Sequence, residues 1–344
     1  MLREKLGRTT TMSITLNRPL DMHLHLRDGD MLKSVAPLSA KSFAGAIIMP
    51  NLVPPVTTKE ELLSYRERVI KACNDSSFTP YMTLFFKPTY TKEFLASIRA
   101  ELTAIKLYPA GITTNSEGGV SGFDVEELRP TLTAMSELGI PLSIHGETNG
   151  FVMDREAEFV SIYERLASAF PDLTIIMEHI TTKESVEALD RFHNLYATIT
   201  LHHLMITLDD VAGGMLQPHL FCKPIAKRPK DREALRKVAL EGHPKVMFGS
   251  DSAPHPQNAK ESCGCAAGVF TAPIALQVLT KLFIENSTIE KLQAFVSDNA
   301  QKIYKNIQIP QKTIKLEKKG FIVPEKYGTV VPMYAGEELE YSIV

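Results

Sequence analysis

Long apolar runs are missing from this 344-residue chain, and none approaches the roughly 20 residues a helix needs to cross a bilayer. The basic N-terminal residues are not followed by an apolar segment of signal-peptide type, so the expectation is a cytoplasmic protein with no membrane partner. Cysteine is scarce. Cys73, Cys222, Cys263 and Cys265 are too few and too scattered for a disulfide framework in a chain of this length. Cys263-Gly264-Cys265 has the spacing either of a thiolate metal pair or of a reduced structural loop, and no second cysteine pair matches it. An excess of positive charge is also lacking: 38 Lys and Arg face 40 Asp and Glu, which argues against nucleic acid as a main partner. The one basic run, Lys227 to Lys237, is diluted by Asp231 and Glu233 and reads as a solvated loop and helix start. Tandem repeats and low-complexity segments are absent.

What is present is an alternation of apolar runs and amphipathic stretches, in a composition of ordinary soluble globular type (44% hydrophobic, 23% charged). Eight apolar runs, at 20–26, 45–49, 81–86, 104–108, 141–145, 173–179, 196–201 and 245–250, read as buried strands. Between them lie helical patterns over 59–73, 91–99, 124–138, 154–170, 181–192 and 231–240. In the first, Leu62, Tyr65, Val69, Ile70 and Cys73 share a face and Thr58 with Glu61 has capping-box spacing; Thr181 and Glu184 suggest a second box. Strands alternating with helices imply parallel pairing, and eight repeats imply an α/β fold of (β/α)8 TIM-barrel type. Residues 272–285 and 289–303 read as closing helices, and the tail from Thr313 as short strands or an extended wrap. About 19 residues precede the first barrel strand, which leaves little room for a separate N-terminal β-domain. The expected organisation is one barrel domain over 13–344, with 1–12 as an unstructured leader or the product of an upstream start.

Reactive residues gather at the strand ends, where barrel active sites form. The first run ends in D-M-H-L-H-L-R-D, and alternation puts His23, His25 and Arg27 on one face. Asn51, Lys106, His145, His179, Asp251 and His255 follow at or just past the ends of later runs. Five of the ten histidines belong to this set; His193, His202, His203, His219 and His243 lack matching partners, although His203 and His219 could stand behind the site. Four histidines and an aspartate exceed the three protein ligands typical of one catalytic zinc, so two metals are the economical reading. Burial would push Lys106 towards the neutral amine, which can add carbon dioxide and become an anionic carbamate with an oxygen for each metal. Alternatively the lysine snorkels to the rim or binds a substrate anion.

His-x-His on the first strand, lysine on the fourth, histidines on the fifth and sixth and aspartate on the eighth resemble the binuclear amidohydrolase superfamily. Within it, D-M-H-L-H-L-R-D, M-P-N, I-K-L-Y-P-A-G-I-T-T-N-S, I-H-G-E, E-H-I, G-S-D-S-A-P-H and K-E-S-C-G-C-A resemble the dihydroorotases of single-domain bacterial type, over nearly the whole chain from Leu20. The resemblance implies two zinc ions. His23, His25, Lys106 and Asp251 would hold one, and carbamylated Lys106, His145 and His179 the other, with carbon dioxide or bicarbonate needed for the lysine. It further implies a metal-bridging hydroxide as nucleophile in the hydrolytic direction, with Asp251 as base and then acid. Arg27, Asn51 and His255 would hold the carboxylate of the substrate, N-carbamoyl-L-aspartate or L-dihydroorotate, with Lys223 and Ala267 contributing. Thr113 and Thr114 resemble a loop that closes over substrate, where composition alone suggests a solvent loop. The chain departs from the family at Lys223, where leucine is usual in a Cys-Leu-Pro run. The resemblance also suggests a homodimer.

Two rival readings share these motifs. Another cyclic-amide hydrolase (a dihydropyrimidinase, hydantoinase or allantoinase) would use the same ligands, and Arg27 is the feature that favours a charged substrate. A non-catalytic, dihydroorotase-like assembly subunit would be free to lose ligands that this chain retains.

Overall fold

The computed structural model describes residues 13–305 and 307–344; the leader expected over 1–12 lies outside them. Eleven strands form two sheets: β1 (Ser13–Asn17), β2 (Leu20–Leu24), β3 (Gly45–Ile48), β4 (Thr79–Phe85), β5 (Ala104–Leu107), β6 (Leu142–Ile144), β7 (Ile175–Met177), β8 (Leu195–Ile199), β9 (Val246–Phe248), β10 (Thr313–Ile322) and β11 (Glu338–Ile343). Strands β2 to β9 pair in sequence order, all parallel, and helices return the chain from each strand to the next. This is the TIM-barrel arrangement, and each of the eight expected apolar runs contains or overlaps one strand. Both faces of these strands are buried, inward by the barrel interior and outward by helices, which is why they read as continuous apolar runs rather than alternating ones.

The barrel closes just beyond the ends of β2 and β9. There Asp251 N donates to His23 O (2.8 Å) and His25 N to Ser252 O (3.2 Å). Asp21 braces the same seam, accepting from Ser250 N (2.7 Å) and from the Ser250 hydroxyl (2.5 Å). Closure therefore joins the two segments that carry His23, His25 and Asp251.

The helix Lys59–Cys73 forms where expected. Its Thr58 hydroxyl accepts from Glu61 N while Glu61 accepts from Thr58 N, and Asn74 ends it with a left-handed φ of 47°. Leu62, Tyr65, Val69 and Cys73 face the barrel, but Ile70, expected among them, is 52% exposed, one position round the helix from the buried stripe. The expected box at Thr181 and Glu184 does not form. The Glu156 carboxylate captures Thr181 through its backbone N–H (2.8 Å), and the cap of Lys183–Ala188 is Thr182, whose hydroxyl accepts from Ser185 N (3.3 Å).

Two elements go beyond the sequence analysis. A helix covers Gly29–Ser42 with Pro37 inside it. At the termini, β10 pairs antiparallel with both β1 and β11, so the short N-terminal segment joins the tail as a three-stranded sheet. The closing helices are Ala275–Glu285 and a run from Ile289 to Ile303 with a wider π turn over Ala294–Asp298. Among the described residues no helix is long and apolar enough to cross a membrane.

Candidate active site

At the C-terminal mouth of the barrel, β2 delivers His23 and His25 side by side, their Nε2 atoms 3.3 Å apart. From the end of β9, Asp251 Oδ1 comes within 3.4 Å of His23 Nε2 and 3.1 Å of His25 Nε2. Three buried donor atoms thus converge on one point, a nitrogen and oxygen set suited to a divalent ion such as zinc. The His179 ring packs edge-on against both His23 and His145, with centroids 4.9 and 4.7 Å away. All four histidines and Asp251 therefore surround one small space.

Each imidazole is turned by what its other nitrogen does. His23 Nδ1 donates to Glu178 Oε2 (2.8 Å), and His145 Nε2 donates to Glu147 Oε2 (2.8 Å). In each ring the other nitrogen is the one left to a metal, the arrangement metal-ligating histidines adopt. Glu178 is itself held by the Thr198 hydroxyl (2.6 Å), which accepts from His179 N (2.7 Å). Burial lowers the pKa of His25 to about 4, so the ring is neutral and able to coordinate. Burial also opposes ionisation of Asp251, but the hydrogen bond from His25 and the nearby imidazoles outweigh it and hold the carboxyl well below its usual range.

Lys106 ends β5 in the same interior. It is wholly buried, its Nζ has no hydrogen-bond partner among the described residues, and burial brings its pKa down to about 8 against the opposing pull of Glu178 and Asp251. An orphaned amine among neutral imidazoles is an expensive arrangement on its own. Converted to a carbamate and bound to metal, it would be fully used, so the residues present fit a two-metal centre.

A pocket opens above this cluster. It is lined by Arg27, Asn51, Thr113, Thr114, Lys223 and Ala267 together with the histidines at its floor. Arg27 Nε donates to Pro254 O (3.3 Å) and Nη2 lies 3.0 Å from His255 Nε2, whereas the buried Nη1 has no partner among the described residues. His255 Nε2 is also 3.0 Å from Ala267 O, so that nitrogen can either accept from Arg27 or donate to Ala267. Asn51 Nδ2 donates to Thr114 O (3.0 Å), and Lys223 Nζ donates to Ile112 O (2.9 Å). Both therefore grip the loop that carries Thr113 and Thr114.

The backbone is strained where the chemistry gathers. Arg27, His179 and Asp251 take left-handed φ values of 58°, 42° and 43°, which non-glycine residues adopt at a cost of order 1–3 kcal/mol each. Gly249 lets β9 pass close to its neighbours, since a Cβ there would lie 2.9 Å from His23 Cβ and 3.0 Å from Thr198 Cβ.

The remaining histidines stay out of the cluster. His219 and His243 contact Glu261 and Asp190 near the surface. His202, His203 and Cys222 form a second buried group, but both nitrogens of His203 are engaged, by the Thr200 hydroxyl (2.9 Å) and Pro224 O (3.0 Å). The four cysteines are free thiols, Cys263 exposed and Cys265 half-buried. Glu147, Glu178 and Lys260 were not singled out from sequence; the two glutamates lie beside ligand histidines in the I-H-G-E and E-H-I motifs, and Lys260 opens the K-E-S-C-G-C-A motif.

Comparison with known proteins agrees with this geometry. The amidohydrolase family model matches residues 20–303. A dihydroorotase from Helicobacter hepaticus is 44% identical over 96% of this chain and 98% of its own length. The crystal structure of dihydroorotase from Campylobacter jejuni superposes with a TM-score of 0.93 at 58% identity, covering 99% of both chains. That of dihydroorotase in complex with 5-fluoroorotic acid from Saccharomyces cerevisiae gives 0.91 at 33% identity, covering 96% of this chain and 98% of that one. The motif pattern, the barrel and these likenesses agree: the chain belongs to the amidohydrolase family, in its dihydroorotase branch, and is a cyclic amide hydrolase.

Proposed function

We propose that the chain is a zinc-dependent dihydroorotase interconverting N-carbamoyl-L-aspartate and L-dihydroorotate, a step of pyrimidine synthesis in the cytoplasm. The observation that carries this reading is the Arg27 guanidinium at the edge of the metal-ligand cluster, with Nη1 buried and, among the described residues, unpartnered. A carboxylate on the substrate ring would take that nitrogen and, with His255 and Asn51 beside it, fix which ring edge meets Asp251. The yeast relative was solved with 5-fluoroorotic acid, a pyrimidine bearing such a carboxylate. Lys223, Ala267, Thr113 and Thr114 complete the walls.

His23, His25 and Asp251 would hold one divalent ion and His145 and His179 a second, with carboxylated Lys106 offering an oxygen to each. Ions bound there would polarise the amide carbonyl and lower the pKa of a water from about 15.7 towards about 7. Asp251, kept ionised by His25 and its neighbours, takes the proton of the attacking water and delivers it to the leaving ring nitrogen. In the other direction the ring closes with uptake of one proton and release of water, so low pH favours L-dihydroorotate. We assign the protein as a homodimer, which sedimentation equilibrium would test.

The deciding experiment is the ratio of kcat/KM for L-dihydroorotate over uncharged dihydrouracil, with zinc-loaded protein and bicarbonate present. A large ratio that collapses in Arg27→Ala supports the reading. Comparable rates on both substrates would move the chain to the broader cyclic amidases, and no turnover of either would return it to an assembly role.

A further inference from the structure

Lys260 is 3% exposed, yet among the described residues no carboxylate pairs with its charge. Its ammonium instead donates to three backbone carbonyls, Phe221 O at 2.9 Å, Ala266 O at 2.8 Å and Gly268 O at 2.7 Å. Those are all the protons an ammonium has. The three carbonyls belong to two separate segments, the one that leads through Cys222 to Lys223 and the one that presents Ala267, and Gly268 N bonds directly to Phe221 O (2.9 Å). Both segments line the pocket, and Ala267 O touches His255, which touches Arg27. A single buried cation therefore knots together two segments of the pocket wall, one of which meets His255 through Ala267 O.

We propose that Lys260 is a positioning and specificity residue: it locks the Phe221 and Ala266–Gly268 segments against His255 and adds a positive charge behind His255, biasing the pocket towards anionic rings. This rests on the proposed reading that the substrate carries a ring carboxylate. A neutral side chain of the same length cannot replace it. Methionine would leave the Ala266 and Gly268 carbonyls buried without a donor, Phe221 O keeping only Gly268 N, and would remove the positive charge. Lys260 remains mostly protonated at neutral pH, since burial lowers its pKa only to about 8. Its charge reaches His255, whose pKa falls to about 3 through burial first, then Arg27, then Lys260, so the imidazole stays neutral and adds no competing requirement for an anion.

The test compares wild type, Lys260→Met and Lys260→Arg, each zinc-loaded with bicarbonate present, on L-dihydroorotate and dihydrouracil, with zinc content and melting temperature measured alongside. In Lys260→Met, KM for L-dihydroorotate should rise by about 10-fold or more with kcat within about 3-fold, and the preference over dihydrouracil should fall in step. Lys260→Arg, which keeps the charge and the donors, should recover most of that preference. A preference unchanged in folded, zinc-replete Lys260→Met would overturn the proposal, as would equal losses on both substrates, which mark a general collapse of the site. If Lys260→Met does not fold, Lys260→Arg decides: it should hold the wild-type preference, and loss of that preference with normal zinc content counts against the role. A wild type with no preference for L-dihydroorotate overturns the proposed function itself, and this inference with it.

Discussion

Lys106 shows how burial becomes reactivity at a single residue. With its pKa near 8, the neutral amine is about a tenth of the population at pH 7 and about nine-tenths at pH 9, and only that form adds carbon dioxide. Metal-stripped protein offered zinc at a fixed concentration of dissolved carbon dioxide should therefore regain the metal faster as pH rises, with a midpoint near 8. The carbamate signal in 13C NMR should grow in parallel, and a pH-independent rate would remove Lys106 from that role. Glu178 makes a different demand: it fixes His23 without belonging to the centre itself. Glu178→Gln should weaken zinc affinity by about 10- to 100-fold while the fold survives, as read from a chelator competition. The six ligand candidates were legible in sequence because each stands at the end of an apolar run. Glu178 was not, because the ring it orients lies 155 positions away and no spacing encodes that pairing.

Elements were legible where their signals are local. The strands of the barrel are buried on both faces and so appear as apolar runs, and Lys59–Cys73 carries its stripe within its own 15 residues and its cap, Thr58, in the residue just before them. Errors arose where tertiary contacts override local pattern. Thr181 has the spacing of a cap but is taken by Glu156, and the helix Gly29–Ser42, with Pro37 inside it, was not singled out at all. The loop over the pocket is another case. Its turn-forming composition suggests solvent, yet Thr113 and Ile112 are held across the mouth by Ser116 within the loop and by Lys223 from outside it. Replacing Lys223 with leucine, the residue usual in the family, removes the outer tie and leaves Asn51 to hold Thr114. The expected result is faster proteolytic cleavage within 109–120 and a KM raised a few-fold with little change in melting temperature. Unchanged cleavage would mean that Asn51 and Ser116 suffice.

At the scale of the whole molecule, two structures with different logic share one chain. The barrel is built from adjacent units, so its topology follows from the order of the elements, while the terminal sheet pairs Ser13 with Glu317 across almost the full length of the sequence. That is why β1, five residues with one buried side chain, escapes local pattern reading. Its energetic role is separable from the site as well. Leu316 and Tyr341, on β10 and β11, are buried, and no residue of β1, β10 or β11 lines the pocket. Leu316→Ala removes a fully buried side chain from this sheet and should cost about 2–5 kcal/mol. The urea midpoint should fall accordingly, while kcat per folded molecule and zinc content stay at wild-type values in the absence of denaturant. Should activity or metal content fall together with the midpoint, the sheet would have to be read as part of what holds the strand ends in place. In that case the strain at Arg27, His179 and Asp251 would be borne by contacts from the chain termini, and not by the closed barrel alone.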